Sequence, residues 1–396
     1  MTTTSSDAVQ PRNDALVSPR TGGPLRVLQV TARYLPDMGG IETHVDEISH
    51  RLAARGDLEL TVLTCDRTRS YPRRENRGTF DVLRVPAWPA NRDYYLAPGI
   101  YRAIARGDWD LIHCQGVHTP VPLLAMAAAR HTGTPYVVTL HTGGHSSATR
   151  NRMRTLQWKA AGPFLRQAAH VVAVSRSESR IFQEQAGVDP GRMSVIRNGG
   201  GLPAINPGVQ PIPGKIVSSG RLERYKGHHR VIAALAHVRK TLPAAHLEIL
   251  GAGPYEAELR RIAAGAGVSD AVTIRAIAPG DRDAMAAALG SAAVIAAFSD
   301  YEAHPVAVME ALTTGRPVVG YDIAGMADLV EEGLVHGIRP GTSPADAATT
   351  LINAMTAPHR TLDALPTWKT CADALVNVYR SVATEHNLNL FGGASC

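Results

Sequence analysis

The feature that most constrains the fold of this chain is an alternation of short apolar runs with helical segments, interrupted once near the middle. In the first half, runs rich in β-branched residues predict strands at 25–30, 58–64, 110–113, 136–141, 170–174 and 193–196. Segments 41–55 and 120–130 have the apolar spacing of amphipathic helices. After residue 214 the alternation resumes, with predicted strands at 216–219, 247–250, 272–275, 294–297 and 317–320. Such alternation is typical of parallel sheets, so we predict an α/β fold with two doubly wound, Rossmann-like domains.

The interruption at residues 198–214 reads NGGGLPAINPGVQPIPG, which is too rich in glycine and proline for a regular element. We therefore predict a linker between a first domain at 25–197 and a second domain at 215–365. Residues 1–24 are predicted to form a disordered tail. A last helical segment, 368–385, follows a break that contains Pro358 and Pro366, and we expect it to pack back on the first domain.

Composition excludes several classes of protein. Of the 396 residues, 44% are hydrophobic and 19% charged, which argues against wholesale disorder and against a coiled coil. Four widely separated cysteines, Cys65, Cys114, Cys371 and Cys396, predict neither a zinc cluster nor a disulfide framework. No apolar run approaches the ~20 residues of a membrane span, and residues 1–24 lack the apolar stretch of a signal peptide. We therefore expect a cytoplasmic protein.

The net charge of +6 is unevenly distributed. Residues 1–212 contain 25 basic and 17 acidic residues, whereas residues 213–396 contain 16 and 18. This excess predicts an anionic partner for the first half. Basic residues are concentrated at 67–77 and at 150–166, where they alternate with apolar residues. A basic amphipathic helix at 150–166 would be compatible with peripheral contact to an anionic membrane, or with a solvated face of a packed helix. No nucleic-acid-binding module is recognisable, so nucleic acid is not an expected partner.

Candidate site residues follow the predicted strands, because doubly wound sheets bind ligands at the carboxyl ends of their strands. Gly39 and Gly40 precede the first predicted helix, whose free N–H groups can approach a phosphate. Taken alone, this motif fits a plain β-to-α turn equally well.

A pair of cations, Arg221 and Lys226, follows the first strand of the second domain. Two positive charges at this edge of the sheet would neutralise a diphosphate. A surface salt bridge is the alternative. Lysine is rare in this chain, with five lysines among 41 basic residues, which favours a specific role for Lys226.

Two carboxylates, Glu302 and Glu310, lie eight positions apart around a predicted helix start. Free N–H groups of Val306 and Ala307 would point at an anion, and each carboxylate can accept hydrogen bonds from sugar hydroxyls. The alternative is that Glu302 is a helix-start charge and Glu310 a solvated helix residue.

Taken together, these motifs resemble the family 4 glycosyltransferases, which are retaining enzymes of the GT-B fold. The resemblance covers residues 25 to 385 and rests on PDMGGIETHV, VVTLHTGG, VVAVSRSES, IRNG, SSGRLERYKG, EILGAGP and EAHPVAVMEALTTGRPVV. It implies two domains facing across a cleft, with a nucleotide-sugar donor, UDP- or GDP-linked, on the second domain and a small-molecule, glycan or lipid-linked acceptor on the first. It also implies that neither a metal nor another cofactor is required.

The resemblance assigns roles to individual residues. Arg221 and Lys226 would bind the donor diphosphate, with Gly39 and Gly40 beside it. Glu302 and the amides of Val306 and Ala307 would hold the transferred sugar, which His141 would face, and Glu310 would bind the ribose. Asn198 would lie near the cleft, and backbone groups of Arg275, Ala276 and Ile277 would contact the base.

The chain departs from the family pattern at several positions. A customary pair of histidines reads His113-Cys114-Gln115, so the second histidine is replaced by glutamine. The glycine and the aromatic residue that usually follow the first glutamate are Ala303 and His304. A later glutamate is replaced by Asp328. These changes affect the prediction of which sugar is bound.

Other interpretations remain open at this stage. On the same fold, a nucleotide-sugar epimerase or a pseudo-glycosyltransferase would carry nearly the same residues, and a nucleotide-sugar-binding protein without catalysis is a further option. An NAD-dependent oxidoreductase is a remote alternative, because the Gly251-Ala252-Gly253 turn has Glu256 where the third glycine of the dinucleotide motif belongs.

Two other patterns imitate metal sites. The triplets 108–110 and 281–283 carry paired aspartates, which we interpret as caps of the elements that follow. His141 and His145 are separated by two glycines that argue against a helix aligning them as zinc ligands.

Overall fold

The computed structural model describes residues 23–37, 39–90, 94–142, 148–206, 208–278, 280–356 and 365–392. It contains two sheets, each sandwiched between helices. The strands are β1 Leu25–Val30, β2 Leu58–Asp66, β3 Arg74–Asn76, β4 Asp81–Pro86, β5 Leu111–Gln115, β6 Tyr136–Thr139, β7 His170–Ala173, β8 Met193–Val195, β9 Lys215–Ser219, β10 His246–Leu250, β11 Val272–Arg275, β12 Val294–Ala297, β13 Val318–Tyr321 and β14 His336–Ile338. The first sheet has the order β3-β4-β2-β1-β5-β6-β7-β8, in which only β3 is antiparallel to its neighbour. The second is an all-parallel sheet of order β11-β10-β9-β12-β13-β14.

The helices connect these strands and cover both faces of each sheet. Their bounds are α1 Gly40–Ala53, α2 Pro98–Arg106, α3 Pro120–Thr132, α4 Ala148–Leu165, α5 Arg176–Ala186, α6 His228–Thr241, α7 Glu256–Gly265, α8 Arg282–Gly290, α9 Val306–Thr313, α10 Gly325–Glu331, α11 Pro344–Met355 and α12 Trp368–Gly392. Local chemistry sets several of these ends. The Ser175 hydroxyl caps α5 by accepting from the Glu178 N–H, and Gly133 and Gly187 end α3 and α5 in the left-handed region. Among the described residues, no helix has both the length and the apolar character needed to cross a membrane.

The last helix packs on the first sheet rather than on the second. Leu375, Val376 and Tyr379 of α12 are fully buried and share a core cluster with Val45 and Ile48 of α1. Burying such a side chain contributes about 1.5–3 kcal/mol to the free energy of unfolding, so α12 is an integral part of the first domain.

The chain crosses between the two sheets twice, and the crossings lie side by side. The Gly200 N–H donates to the Pro366 carbonyl over 3.0 Å. Gly199 is required here, because a Cβ at this position would lie 2.1 Å from the Trp368 nitrogen. Described residues 198–206 and 208–214 contain no helix or regular strand.

The sequence predicts most strands to within two residues, and β1, β11 and β12 agree at both ends. It misses β3, β4 and β14. β3 and β14 are three-residue strands at sheet edges, and β4 lies inside the sheet but mixes apolar with polar residues, so none of them has a continuous apolar run. Asp281 does cap α8, but the prediction that the 108–110 triplet is a cap is wrong. Asp108 instead pairs with the Arg26 guanidinium at 2.7 Å, and Asp110 accepts from the Arg26 N–H at the start of β1. The predicted tail at 1–24 and His145 lie outside the described residues, apart from residues 23 and 24.

Candidate active site

A cavity of about 550 Å³ lies between the two sheets and is lined by residues from both. The lining comes from the loops that follow β1, β5, β6, β9 and β12, at the carboxyl ends of the strands, as expected for doubly wound sheets. The structure brings together eleven of the predicted site residues in this lining, namely Gly39, Gly40, His141, Asn198, Arg221, Lys226, Glu302, His304, Val306, Ala307 and Glu310.

The three residues predicted to contact the base are not part of this lining, and their role stays a prediction. Arg275, Ala276 and Ile277 are not among the residues that line the described part of the cavity. Arg275 ends the edge strand β11, where its guanidinium pairs with Glu248, and the Ile277 side chain packs against an apolar cluster. Sequence spacing alone did not reveal that these residues follow the outermost strand of the sheet.

A lysine–carboxylate pair forms the centre of the second-domain wall. Lys226 Nζ donates to Glu302 Oε1 over 2.6 Å and lies 5.4 Å from the centre of the Tyr225 ring. Burial disfavours the charged form of Lys226, but the Glu302 carboxylate outweighs it, so the pKa of Lys226 is raised. The Lys226 ammonium is therefore held charged at the cavity wall.

A glycine fixes the turn that carries this lysine. Gly227 has φ +76° and approaches the Phe298 carbonyl so closely that a Cβ would lie 1.8 Å from that oxygen. No other residue fits, and the turn is thereby held against the end of β12, whose following loop supplies Glu302. Arg221 enters the same wall from the end of β9, with its side chain 47% exposed and its guanidinium 3.9 Å from Glu223.

The second carboxylate, Glu310, is buried rather than a solvated helix residue. Burial raises the pKa of Glu310 despite Arg282, which donates to Glu310 Oε1 over 2.6 Å. The same guanidinium donates to the Gly201 carbonyl over 2.7 Å. Arg282 thus ties α8 and α9 to the crossing segment, a role that only the folded chain reveals.

The first-domain wall is built from imidazole and amide groups. His141 follows β6 with φ +49°, and its Nε2 lies 2.8 Å from Gln115 Oε1. His44 of α1 contacts the His141 ring edge to face at 4.5 Å, and its Nδ1 lies 2.9 Å from Asn198 Oδ1. Asn198 Nδ2 donates to the His304 carbonyl, which links the two domains. Burial lowers the pKa of His44 to about 4 and that of His141 well below its usual range, so both imidazoles are uncharged at neutral pH. Arg33 and Glu42 also line the cavity from this domain, with the Arg33 guanidinium 4.0 Å from Glu42 Oε1.

A buried carboxylate that sequence reasoning missed supports the His141 loop. Glu178 Oε1 accepts from the N–H and the hydroxyl of Thr142, at 2.7 and 2.6 Å, and Oε2 accepts from the Val174 N–H. The Thr142 hydroxyl also lies 2.8 Å from the Tyr301 hydroxyl of the second domain. The Ser175-x-x-Glu178 spacing signals a capping box, but the carboxylate instead holds the ends of two neighbouring strands.

A group of ion pairs joins the domains beside the cavity. The Arg176 N–H donates to Asp328 Oδ2 over 2.7 Å, and its guanidinium lies 2.8 Å from Glu331. Arg197 forms a two-pronged pair with Glu332. Asp328 is buried, so the aspartate that departs from the family pattern lies at the interface between the domains.

Comparison with known proteins matches this geometry. The sequence model described as "Glycosyltransferase Family 4" matches residues 38–199, and that described as "Glycosyl transferases group 1" matches residues 208–363. The chain is 26% identical to the D-inositol 3-phosphate glycosyltransferase of Nocardiopsis dassonvillei, over 94% of this chain and 98% of that protein. It is 23% identical to the GDP-mannose:cellobiosyl-diphosphopolyprenol alpha-mannosyltransferase of Komagataeibacter xylinus, over 90% and 93%.

Solved structures share the fold. Sucrose-phosphate synthase from Thermosynechococcus elongatus superimposes with a TM-score of 0.71 at 19% identity, covering 91% of this chain and all of that one. Anabaena Alr3699/HepE in complex with UDP and glucose superimposes with a TM-score of 0.66 at 18% identity, covering 94% and 99%.

Proposed function

Because the chain belongs to the family 4 glycosyltransferases of the GT-B fold, we propose that it moves a sugar from a UDP- or GDP-linked donor to a hydroxyl acceptor, with retention of configuration and without a metal. The observation that carries this proposal is the Lys226–Glu302 pair beside Arg221 in the cavity wall. It supplies two cations for a diphosphate and a carboxylate for sugar hydroxyls.

The leaving diphosphate determines the main electrostatic task. The bond between the sugar's anomeric carbon and the phosphate oxygen breaks, and its electron pair stays on the diphosphate. Arg221, Lys226 and the N–H groups of Gly39 and Gly40 at the start of α1 would stabilise that negative charge. These groups take the place of a metal ion in the proposal.

Donor specificity follows from the two carboxylates. Glu302 and the free N–H groups of Val306 and Ala307 at the start of α9 would bind hydroxyls of the transferred sugar. Glu310 keeps one carboxylate oxygen beyond its bond to Arg282 and would accept from the ribose hydroxyls. Asn198 and His304 would keep the two walls in register across the cleft.

Retention is proposed through attack on the face that the diphosphate leaves. Four glutamates line the described part of the cavity, and each lies beside a cation. Glu302 pairs with Lys226 and Glu310 with Arg282, while Glu42 and Glu223 lie 4.0 and 3.9 Å from Arg33 and Arg221, so we propose none of them as a nucleophile. The acceptor oxygen would bond to the anomeric carbon as the diphosphate departs, and its proton would pass to the departing phosphate oxygen.

On the acceptor side, we propose an acceptor presented at an anionic membrane surface, at its cytoplasmic face. Trp88 and Leu96 form an antiparallel bridge and are 72% and 59% exposed, and Tyr94 next to them lines the cavity. Exposed aromatic side chains favour the water–lipid interface. The thiols of Cys65, Cys114 and Cys371 are unpaired, as expected for a reducing compartment.

This membrane proposal has a direct test, because Trp158 and Trp368 are buried whereas Trp88 is exposed. Anionic vesicles should shift the tryptophan emission of the wild-type protein to the blue and protect it from quenching by acrylamide. They should change neither the emission nor the quenching of the Trp88→Phe variant. An equal response to purely zwitterionic vesicles, or a blue shift retained in Trp88→Phe, would contradict it.

The decisive experiment for the function combines binding with product analysis. UDP or GDP should raise the midpoint temperature of thermal unfolding in the presence of EDTA, and NAD or ADP should not. Transfer to an acceptor mixture should give a product with the donor's anomeric configuration by proton NMR, and Glu302→Ala should abolish it. Stabilisation by NAD alone would exclude the proposal, and an inverted product would exclude retention.

The same experiment separates the alternatives on this fold. A nucleotide-sugar epimerase would change the free donor without an acceptor, and a pseudo-glycosyltransferase would leave hexose donors intact. A binding protein would be stabilised by the nucleotide with no turnover.

A further inference from the structure

A chain of buried side chains connects the C-terminal helix to His141. It starts at Tyr379 of α12, whose hydroxyl lies 2.6 Å from His113 Nδ1. His113 Nε2 in turn lies 2.7 Å from the Thr139 hydroxyl. All three side chains are fully buried, so each hydrogen bond must be made within the protein.

The direction of the first bond follows from donor and acceptor accounting. A buried phenol O–H group must donate a hydrogen bond. Among the described residues, His113 Nδ1 is the partner of the Tyr379 hydroxyl. His113 Nδ1 is therefore the bare nitrogen, and Nε2 carries the proton that it donates to Thr139.

The same accounting orients Gln115. One end of its amide lies 3.3 Å from His113 Nδ1 and 3.1 Å from Gln29 Oε1, and the other end lies 2.8 Å from His141 Nε2. An amide oxygen facing the bare His113 nitrogen would be repelled, so the NH₂ group faces His113. The Gln115 carbonyl therefore faces His141 and accepts a hydrogen bond from its Nε2–H group.

We infer that Gln115 is a positioning residue that fixes His141 in the Nε2–H form, so that its Nδ1 is a hydrogen-bond acceptor for a hydroxyl group of the bound sugar. His141 lines the cavity, and no described residue lies within hydrogen-bond distance of its Nδ1. The sugar part of this inference rests on the proposed function, whereas the proton's position rests on the contacts alone. It gives a role to the glutamine that replaces a histidine of the family pattern.

Burial keeps His141 neutral, because it lowers the pKa of the imidazole well below its usual range. His44 of α1 contacts its ring, His113 lies behind Gln115, and His118 lies in the loop after β5. The Glu178 carboxylate is occupied by the Thr142 backbone and hydroxyl. Burial lowers the pKa of His113 to about 3, so the proton arrangement should hold throughout the neutral range.

Nitrogen NMR of the histidine side chains tests the inference in the free protein. The chain has 16 histidines, and the signals of His141 are those that disappear from the spectrum of His141→Asn. We expect the protonated nitrogen of His141 to be Nε2 in the wild type. A proton on Nδ1 would overturn the inference whether or not the protein transfers a sugar.

Three substitutions separate positioning from packing. Gln115→Leu removes the acceptor, and Tyr379→Phe removes the first donor while keeping the ring, so both should produce a mixture of His141 forms. Gln115→Glu keeps an acceptor at Nε2 and should preserve the Nε2–H form, with a raised pKa for His141. If His141 is still entirely in the Nε2–H form in Gln115→Leu, then Gln115 does not determine the position of its proton.

The role of Nδ1 is tested with donors that lack single hydroxyl groups. One such deoxy donor should lose about tenfold in kcat/KM with the wild type, the effect of one lost hydrogen bond. In Gln115→Leu that loss should shrink, and in Gln115→Glu it should return at high pH. Equal use of every deoxy donor alongside a confirmed Nε2–H form would overturn the acceptor role. If no donor is used at all, the proposed function fails and the NMR result still decides where the proton lies.

Discussion

The two walls of the cavity use opposite chemistry. The second-domain wall is charged: Lys226 pairs with Glu302 and Arg282 pairs with Glu310. The first-domain wall has neutral imidazoles and amides at its centre, where burial keeps His44 and His141 uncharged, and it carries Arg33 and Glu42 beside them. Charge can be placed where a diphosphate must be neutralised, whereas neutral groups of fixed direction suit hydroxyl recognition. The contrast suggests that the second wall drives bond cleavage and the first selects what is transferred.

Replacing the lysine of the charged wall should have the largest effect. Lys226→Met removes one of the two cations and leaves Glu302 unpaired, so kcat should fall by roughly 100- to 1000-fold. Lys240→Met makes the same change on the exposed surface of α6 and should keep full activity. Steady-state kinetics with both variants measures the difference. A Lys226→Met variant within threefold of the wild type would place the diphosphate elsewhere.

The neutral wall should show itself in the pH dependence of stability. His44, His113 and His141 have lowered pKa values, so the unfolded chain binds more protons than the folded one below pH 6.5. The free energy of unfolding should fall by roughly 3 kcal/mol between pH 6.5 and 5.5 from these three groups. His228, His229 and His304 have lowered pKa values too and add to the fall. Urea unfolding at several pH values measures the total, and His44→Gln should reduce it by about 1 kcal/mol. A constant free energy of unfolding across this window would show that the wall is not neutral and buried.

A change confined to the ribose carboxylate should be smaller. Glu310→Gln keeps the shape of the side chain but removes the charge that Arg282 neutralises, so nucleoside diphosphate should bind about tenfold more weakly. Calorimetric titration with UDP and GDP measures the dissociation constant. Unchanged affinity for both would remove Glu310 from the donor site.

The weakest expected effect concerns the ion pairs that join the walls at the surface. Glu332→Gln breaks the pair with Arg197, which is partly exposed and so contributes less than about 1 kcal/mol. The donor affinity of the wild type should decrease with added salt through both the cavity cations and this pair, and the variant should show a slightly smaller decrease. Thr349→Val on α11 is a matched surface control. A variant that keeps the full salt dependence would assign it to the cavity cations.

The fold was predictable from sequence because strand and helix periodicities are local. Buried strands such as β1 and β12 are predicted from a few consecutive residues, whereas β3 and β14 are formed by pairing at an edge that no local pattern shows. The charged wall was likewise predictable, because Arg221, Lys226 and Glu302 follow strand ends. The neutral wall was not, because the roles of Gln115 and Glu178 depend on partners that are distant in the chain, including Tyr379 at a separation of 266 residues from His113.

The return of α12 to the first sheet has a consequence for the order of synthesis. The apolar face of α1, with Val45 and Ile48, leaves the ribosome early, but the helix that covers it begins only at Trp368. A nascent chain therefore exposes this face until α12 has been synthesised, although all strands of its second domain are synthesised earlier. On a ribosome stalled before residue 368, protease should cut the first domain more readily than the second. Chaperones that recognise apolar helices should bind the exposed face of α1 for the longest time.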